Sequence, residues 1–202
     1  MDTVANTKNI LIVGVGGQGI ILAGRIIGNA ALKMGLNVKV SEIHGMAQRG
    51  GSVVTHVRFG RRVYSPTIEQ GTADIILAFE KLEALRWMHY LRLGGTVIVN
   101  EQEIYPLPVL IGKGEYPSDV LEKIKRKDTH ILALDAFQIA VEAGNPKAVN
   151  MVLVGALAAE MGFKKDLWHD VIKETVPKKS IEANIQAFNK GFEWVKNPRV
   201  CI

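Results

Sequence analysis

The chain predicts an α/β fold in three layers, a mainly parallel sheet between helices with a helical C-terminal part, and two features carry that expectation. Short apolar runs alternate with helical periodicity over the first two-thirds of the 202 residues, the pattern of a parallel sheet covered on both faces. The first of these runs, residues 9–13, enters Gly14-Val15-Gly16-Gly17-Gln18-Gly19 and then an apolar-periodic stretch to Met34, which reads as strand, tight turn and helix.

Gly14, Gly16 and Gly19 fit G-x-G-x-x-G, which makes the sandwich Rossmann-like. The strand is expected to break at Gly14 and the helix to begin near Gly17. Free backbone N–H groups and the positive end of the dipole make such a helix start an anion site. Gly24 and Gly28 would leave the helix a flat face for close packing, because glycine inside a helix costs roughly 1 kcal/mol against alanine and needs a reason. Residues 36–42 read as the second strand. Glu42 ends it, where a ribose-binding carboxylate would stand. The loop after it holds Gln48, Arg49, Gly50 and Gly51. Taken alone, the glycines serve a sharp turn as well as a phosphate.

Residues 53–59 alternate as a half-buried strand with Val53, Thr55, Val57 and Phe59 on one face. His56 and Arg58 then face solvent or an interface. A turn at residues 60–62 into 63–65 would complete a hairpin closed by Pro66. Residues 73–79 form a buried strand closed by Glu80, followed by a helix that reaches Gly94-Gly95, and residues 96–100 are another buried strand. Among Pro106, Pro108 and Pro117, residues 109–111 read as a short edge strand. Ser118 and Asp119 can cap a helix to Lys127, and residues 130–134 are the last core strand. Everything after Asp135 reads as helical: a run broken at Gly144-Asn145-Pro146, one over 148–161 rich in small residues, one capped by Asp166, and one whose Ile181, Ile185, Phe188, Phe192 and Val195 share a face. Residues 16–19, 42–51 and 80–81 should meet at the carboxyl ends of the strands, where such sheets bind ligands.

No linker, repeat or low-complexity tract divides the sequence, so residues 1–202 read as one domain. The polar start lacks a signal peptide's basic front, and no apolar run approaches the ~18 residues that cross a bilayer. A cytoplasmic location with no membrane contact follows as the expectation. Net charge is +5, but the basic residues are scattered. The densest group, Lys123, Lys125, Arg126 and Lys127, ends a helix where cations suit the dipole and has no interleaved aromatics, which speaks against nucleic acid. Cys201 is the single cysteine, so the chain cannot ligate an iron–sulfur cluster or build a disulfide framework. The five histidines lack ligand spacing, and no metal site or catalytic residue is assigned.

The two glycine loops together, residues 14–23 and 41–51, resemble the gamma-type domain of the 2-oxoacid:ferredoxin oxidoreductases. Residues 52–60 with Tyr64-Ser65-Pro66, and later stretches such as 95–100 and 150–157, are similar in particular to the beta subunits of the indolepyruvate type. The resemblance covers most of the chain to about residue 160. It implies an enzyme that oxidatively decarboxylates arylpyruvates to aryl-acetyl-coenzyme A and reduces ferredoxin. Thiamine diphosphate, magnesium and iron–sulfur clusters are implied in a large (alpha) partner subunit, with ferredoxin reached through the hetero-oligomer. This chain would carry no cofactor alone and would complete the active site or the coenzyme A pocket. Gly14, Gly16, Gly17, Gln18, Gly19, Glu42, Gln48, Arg49, Gly50 and Gly51 are then the candidate binding residues, with coenzyme A at the subunit interface. Two alternatives stand beside it: a gamma subunit of a pyruvate or 2-oxoglutarate enzyme, and a stand-alone dinucleotide-binding protein.

Overall fold

The computed structural model describes residues 7–45, 50–125 and 129–196. Gln48 and Arg49, and with them Arg126 and Lys127, lie outside the described residues. Six strands form one sheet: β1 (Lys8–Val15), β2 (Asn37–His44), β3 (Ser52–Gly60), β4 (Ala73–Ala78), β5 (Leu91–Asn100) and β6 (His130–Leu134). Their order is β2-β3-β1-β4-β5-β6, and only β3 runs against the others, antiparallel to both β2 and β1. The mainly parallel sheet is therefore present.

The antiparallel element is β2–β3 itself, not a hairpin at residues 60–65. Both edges of β3 are already taken by β2 and β1, so residues 63–65 have no free ladder to join. Arg58 instead donates to the carbonyls of Ser65 and Thr67 at 2.9 Å, which folds that segment across the sheet and buries Val63 and Ile68. For the same reason His56 does not face solvent. It is 2 % exposed, accepts from the Ile68 N–H at Nδ1 and meets Tyr90 edge-on. Burial, then the nearby Arg58 charge, pushes its pKa below the ordinary histidine value.

Alternation along the strands splits the core. Ile10, Ile12, Ile75, Leu77 and Ile98 face α1 (Ile20–Lys33) and α6 (Val149–Met161), which are backed by α7 (Lys165–Thr175) and α8 (Ile181–Lys196). Leu11, Val13, Ile76, Ala78, Val97 and Val99 face α2 (Lys81–Trp87) and α4 (Val120–Ile124). Gly24 earns its place, since a Cβ there would lie 2.9 Å from Thr55 Cγ2, whereas at Gly28 it would meet only ordinary contacts with Val38 and Val40.

Several boundaries differ from the sequence reading. β1 continues through Val15 and α1 starts at Ile20, because Gly17 and Gly19 take left-handed φ of 101° and 83° that postpone the helix. α2 stops at Trp87, a 3-10 turn covers Met88–Tyr90, and β5 already begins at Leu91. The β4–β5 register shifts between Ala73 and Ile75 to absorb the extra length. Residues 109–111 are not a strand: Pro106 and Pro108, with φ preset for a helix start, open the short α3 (Leu107–Leu110), and the Val109 and Leu110 N–H groups bond to the Pro106 carbonyl. α4 is only five residues long. The helical reading after Asp135 holds: α5 (Ala136–Glu142) lies between β6 and α6, capped by Asp135. Asp166 sits within the first turn of α7, and Lys164 holds the cap position.

The tightest packing joins α6 to α8. A Cβ at Gly155 would stand 2.1 Å from the Phe188 carbonyl oxygen, and one at Gly191 would stand 2.0 Å from that of Val152. Backbone therefore lies directly on backbone, which only glycine allows. Gly191→Ala is expected to cost about 3 kcal/mol through forced separation of the helices, read as a lower denaturant midpoint. An unchanged midpoint would contradict this packing.

Candidate functional site

The carboxyl ends of β1 and β4 are adjacent, and the chain departs from β1 towards one edge of the sheet and from β4 towards the other. That switch point is where ligands of open α/β sheets gather. Here the Gln18 side chain fills it. Its Oε1 accepts the Val15 N–H at 2.7 Å, and its Nε2 donates to the Phe79 carbonyl at 3.0 Å and to Gln102 Oε1 at 3.1 Å. Asn100, 1 % exposed, continues the row. Its Nδ2 donates to the Phe79 carbonyl and Gln102 Oε1, and its Oδ1 accepts the Ala136 N–H. The Glu101 N–H reaches the Leu134 carbonyl. A seam of amides thus ties the ends of β1, β4, β5 and β6. Gly14 makes room for it, since a Cβ there would stand 2.7 Å from Gln18 Oε1 and 2.8 Å from Phe79 Cβ.

The two glycine loops are joined directly, with the Gly16 N–H donating to the Gly51 carbonyl at 2.9 Å. Gly50 adopts a left-handed φ of 77°, and the Ser52 hydroxyl donates to Glu83 across the loop. Gly16, Gly17, Gln18, Gly19, Gly50 and Gly51 therefore form one surface, with Gly14 buried beneath the Gln18 amide and Glu80 and Glu83 beside it. Glu42 does not join them. It pairs with Thr55 of β3, which in turn pairs with Ile12 of β1, so two ladder spacings, about 10 Å, separate it from the glycine loop. Glu42 lines a separate shallow groove with Arg25 and Asn29 of α1.

Asn150, whose Oδ1 accepts the Met151 N–H, lies beside the glycine loop, a neighbour that the glycine pattern alone did not single out. A Cβ on Gly19 would lie 2.7 Å from Asn150 Nδ2, so the start of α6 abuts the start of α1. Two helix N-termini meet here, each with N–H groups that lack an intrahelical partner, and no side chain caps α1. The arrangement favours an anion.

The neighbouring acids are engaged. Glu80, 1 % exposed, accepts the Glu83 N–H as the cap of α2 and also the Tyr116 hydroxyl and Ile104 N–H. Burial, followed by the hydrogen bond and charge of Glu80, pushes the Tyr116 phenol far above its usual range, so it stays a neutral donor. Glu83 binds the Ser52 hydroxyl and Arg86, and Lys81 pairs with Glu103. The surface can hold an anion, and Glu80 and Glu83 beside it serve as a cap and a tie. Among the described residues no group of three or more His, Cys, Asp or Glu could hold a metal ion, and no helix is long and apolar enough to cross a membrane.

Comparison with known proteins gives this geometry a context. Residues 9–194 match the family described as pyruvate ferredoxin/flavodoxin oxidoreductase. The indolepyruvate oxidoreductase subunit IorB of Pyrococcus horikoshii is 47% identical over 195 residues, covering 93% of this chain and 96% of that protein. The 2-oxoglutarate synthase subunit KorC of Methanothermobacter marburgensis is 30% identical over 192 residues, covering 93% and 96%. Among solved structures, the gamma subunit of a keto/oxoacid ferredoxin oxidoreductase from Geobacter sulfurreducens superposes with a TM-score of 0.73 at 26% identity, covering 94% of this chain and 98% of that one.

The amide seam can be tested by itself. Gln18→Leu leaves the Val15 N–H and the Phe79 carbonyl without their side-chain partner, and is expected to lower unfolding free energy by about 1–3 kcal/mol. Denaturant unfolding indistinguishable from the parent protein would show that the seam does not hold the strand ends.

Proposed function

Because this chain belongs to the pyruvate ferredoxin/flavodoxin oxidoreductase family, we propose that it acts as the cluster-free small subunit of an indolepyruvate-type oxidoreductase. The observation that carries this reading is the drop in identity from 47% with the indolepyruvate subunit to 30% with the 2-oxoglutarate subunit at equal coverage. That difference favours the arylpyruvate type over the 2-oxoglutarate type. On this reading the enzyme converts arylpyruvates to aryl-acetyl-coenzyme A and reduces ferredoxin, and its large subunit holds thiamine diphosphate, magnesium and the clusters. A single cysteine in this chain is in keeping with clusters housed elsewhere.

A stand-alone dinucleotide protein is the weaker reading. The Gln18 amide occupies the switch point, and Glu42 stands across β3 from the glycine loop.

Within the complex, this chain supplies a binding surface for the phosphates of coenzyme A. Gly16, Gly17 and Gly19 bring backbone close to the start of α1, and Asn150 marks the start of α6 beside it. Gly50 and Gly51 hold the neighbouring loop against Gly16. Arg49 and Gln48 belong to that loop by sequence, and a guanidinium suits phosphate through its planar fork. The residues present fit the group by their chemistry: N–H donors and a helix-dipole field, with Glu80 and Glu83 beside them already engaged. Coenzyme A, when bound, contributes the thiol that accepts the acyl group in the large subunit.

Arg49→Ala separates a phosphate contact from a merely structural loop. Assayed in the complex with the large subunit, it is expected to raise the Michaelis constant for coenzyme A by about ten- to a hundredfold, the worth of a charge-assisted contact of roughly 1.5–3 kcal/mol, while subunit association survives. Dissociation of the complex, or unchanged coenzyme A kinetics, would contradict the phosphate role. The chain purified alone is expected to be colourless and inactive; visible cluster absorption would overturn the assignment to the small subunit.

A further inference from the structure

At the amino ends of the strands, the opposite end of the sheet from the glycine loops, a cleft of about 760 Å³ opens between β1, β4, β5 and the turn from α6 to α7. That volume falls in the range of small-molecule sites, and the phosphate surface makes no use of it. Its floor is apolar, built from Ile10, Phe59 and Ile75, with Met34, Met161 and Phe163 on the flanks.

Its five charged lining residues are divided between two walls, Lys8, Asp74 and Arg92 on one and Glu160 and Lys164 on the other. On one, Arg92 Nε lies 2.8 Å and Lys8 Nζ 3.9 Å from the single carboxylate of Asp74. Two cations share one anion there, so the wall keeps a net positive charge. On the other, Glu160 accepts the Thr96 hydroxyl at 3.1 Å and lies 3.7 Å from His130 Nδ1. α6 ends one residue later at Met161, so the negative end of its dipole adds to the Glu160 charge. The walls are close together. Ile75, next to Asp74, pairs directly with Thr96 across the β4–β5 ladder, where strands stand about 4.8 Å apart.

We propose that this cleft binds a zwitterionic α-amino acid with a large apolar side chain. The carboxylate meets Lys8 and Arg92, the ammonium meets Glu160, and the side chain lies on the apolar floor. An ammonium and a carboxylate on one carbon can meet the Glu160 carboxylate and the Lys8 and Arg92 cations in one cleft. A plain carboxylate or a plain amine satisfies only one of them.

The test is calorimetric titration of the full chain with L-phenylalanine and L-tryptophan, set beside 3-phenylpropanoate, which lacks the ammonium, and 2-phenylethylamine, which lacks the carboxylate. Saturable binding of the amino acids is expected, weakened at least about tenfold when either pole is missing, since each is a charge-assisted contact. Glu160→Gln should weaken L-phenylalanine and 2-phenylethylamine and leave 3-phenylpropanoate unchanged. Lys8→Gln, which leaves the Arg92–Asp74 pair intact, should weaken L-phenylalanine and 3-phenylpropanoate and spare the amine. No saturable heat from any probe at millimolar concentration, or equal loss for all probes in either variant, overturns the proposal. Because the cleft and the glycine loops are at opposite ends of the sheet, the result stands apart from the fate of the coenzyme A reading.

Discussion

The Gln18 amide, bonded at once to the end of β1 and to the end of β4, is the constraint on which the carboxyl end of this sheet depends. A buried amide or backbone group without a partner costs about 1–3 kcal/mol, so the row formed by Gln18, Gln102 and Asn100 has to be satisfied as a unit. Four strand ends are held by that row. Its side effect is functional. The crevice in which an open α/β sheet would seat a nucleotide is already filled with protein amides, and the unpaired donors that remain are displaced outward to the starts of α1 and α6.

The reversed strand β3 shapes the same end in a second way. By inserting between β2 and β1, it moves Glu42 away from the glycine loop and brings Gly51 onto Gly16 instead. The end of the loop that in a plain parallel sheet would lead into a crossover helix, Gly50 and Gly51, lies instead against the first glycine loop. Ser52, at the start of β3, then ties that loop end to Glu83 and so to α2. Glu80 and Glu83 beside the surface are committed to such ties, as suits a subunit that binds and leaves the chemistry to other subunits.

Much of this was legible in the sequence where the cause is local. β1, β4 and β6 follow from short apolar runs, α1 from its periodicity, and the close approach at Gly24 from a helix glycine that needed a reason. The misreadings arise where the cause is non-local. Residues 63–65 have strand-like composition, yet β3 had no edge left for them. His56 has the polar parity of an exposed face, but residues 63–68 cover that face. Residues 109–111 look like a strand until the two prolines preceding them are read as a helix start. The amide seam joins positions 18, 79, 100 and 102, separations that no motif spacing encodes. Gly191 gains its meaning only from the Val152 backbone against it.

The most direct measurement is a structure of the assembled oxidoreductase with coenzyme A bound. Phosphate oxygens are expected within hydrogen-bond distance of backbone N–H groups between Gly16 and Leu22, with Asn150 alongside and the Gln18 amide still tied to Val15 and Phe79. Coenzyme A phosphates held wholly by the large subunit, with the starts of α1 and α6 facing away from them, would contradict it.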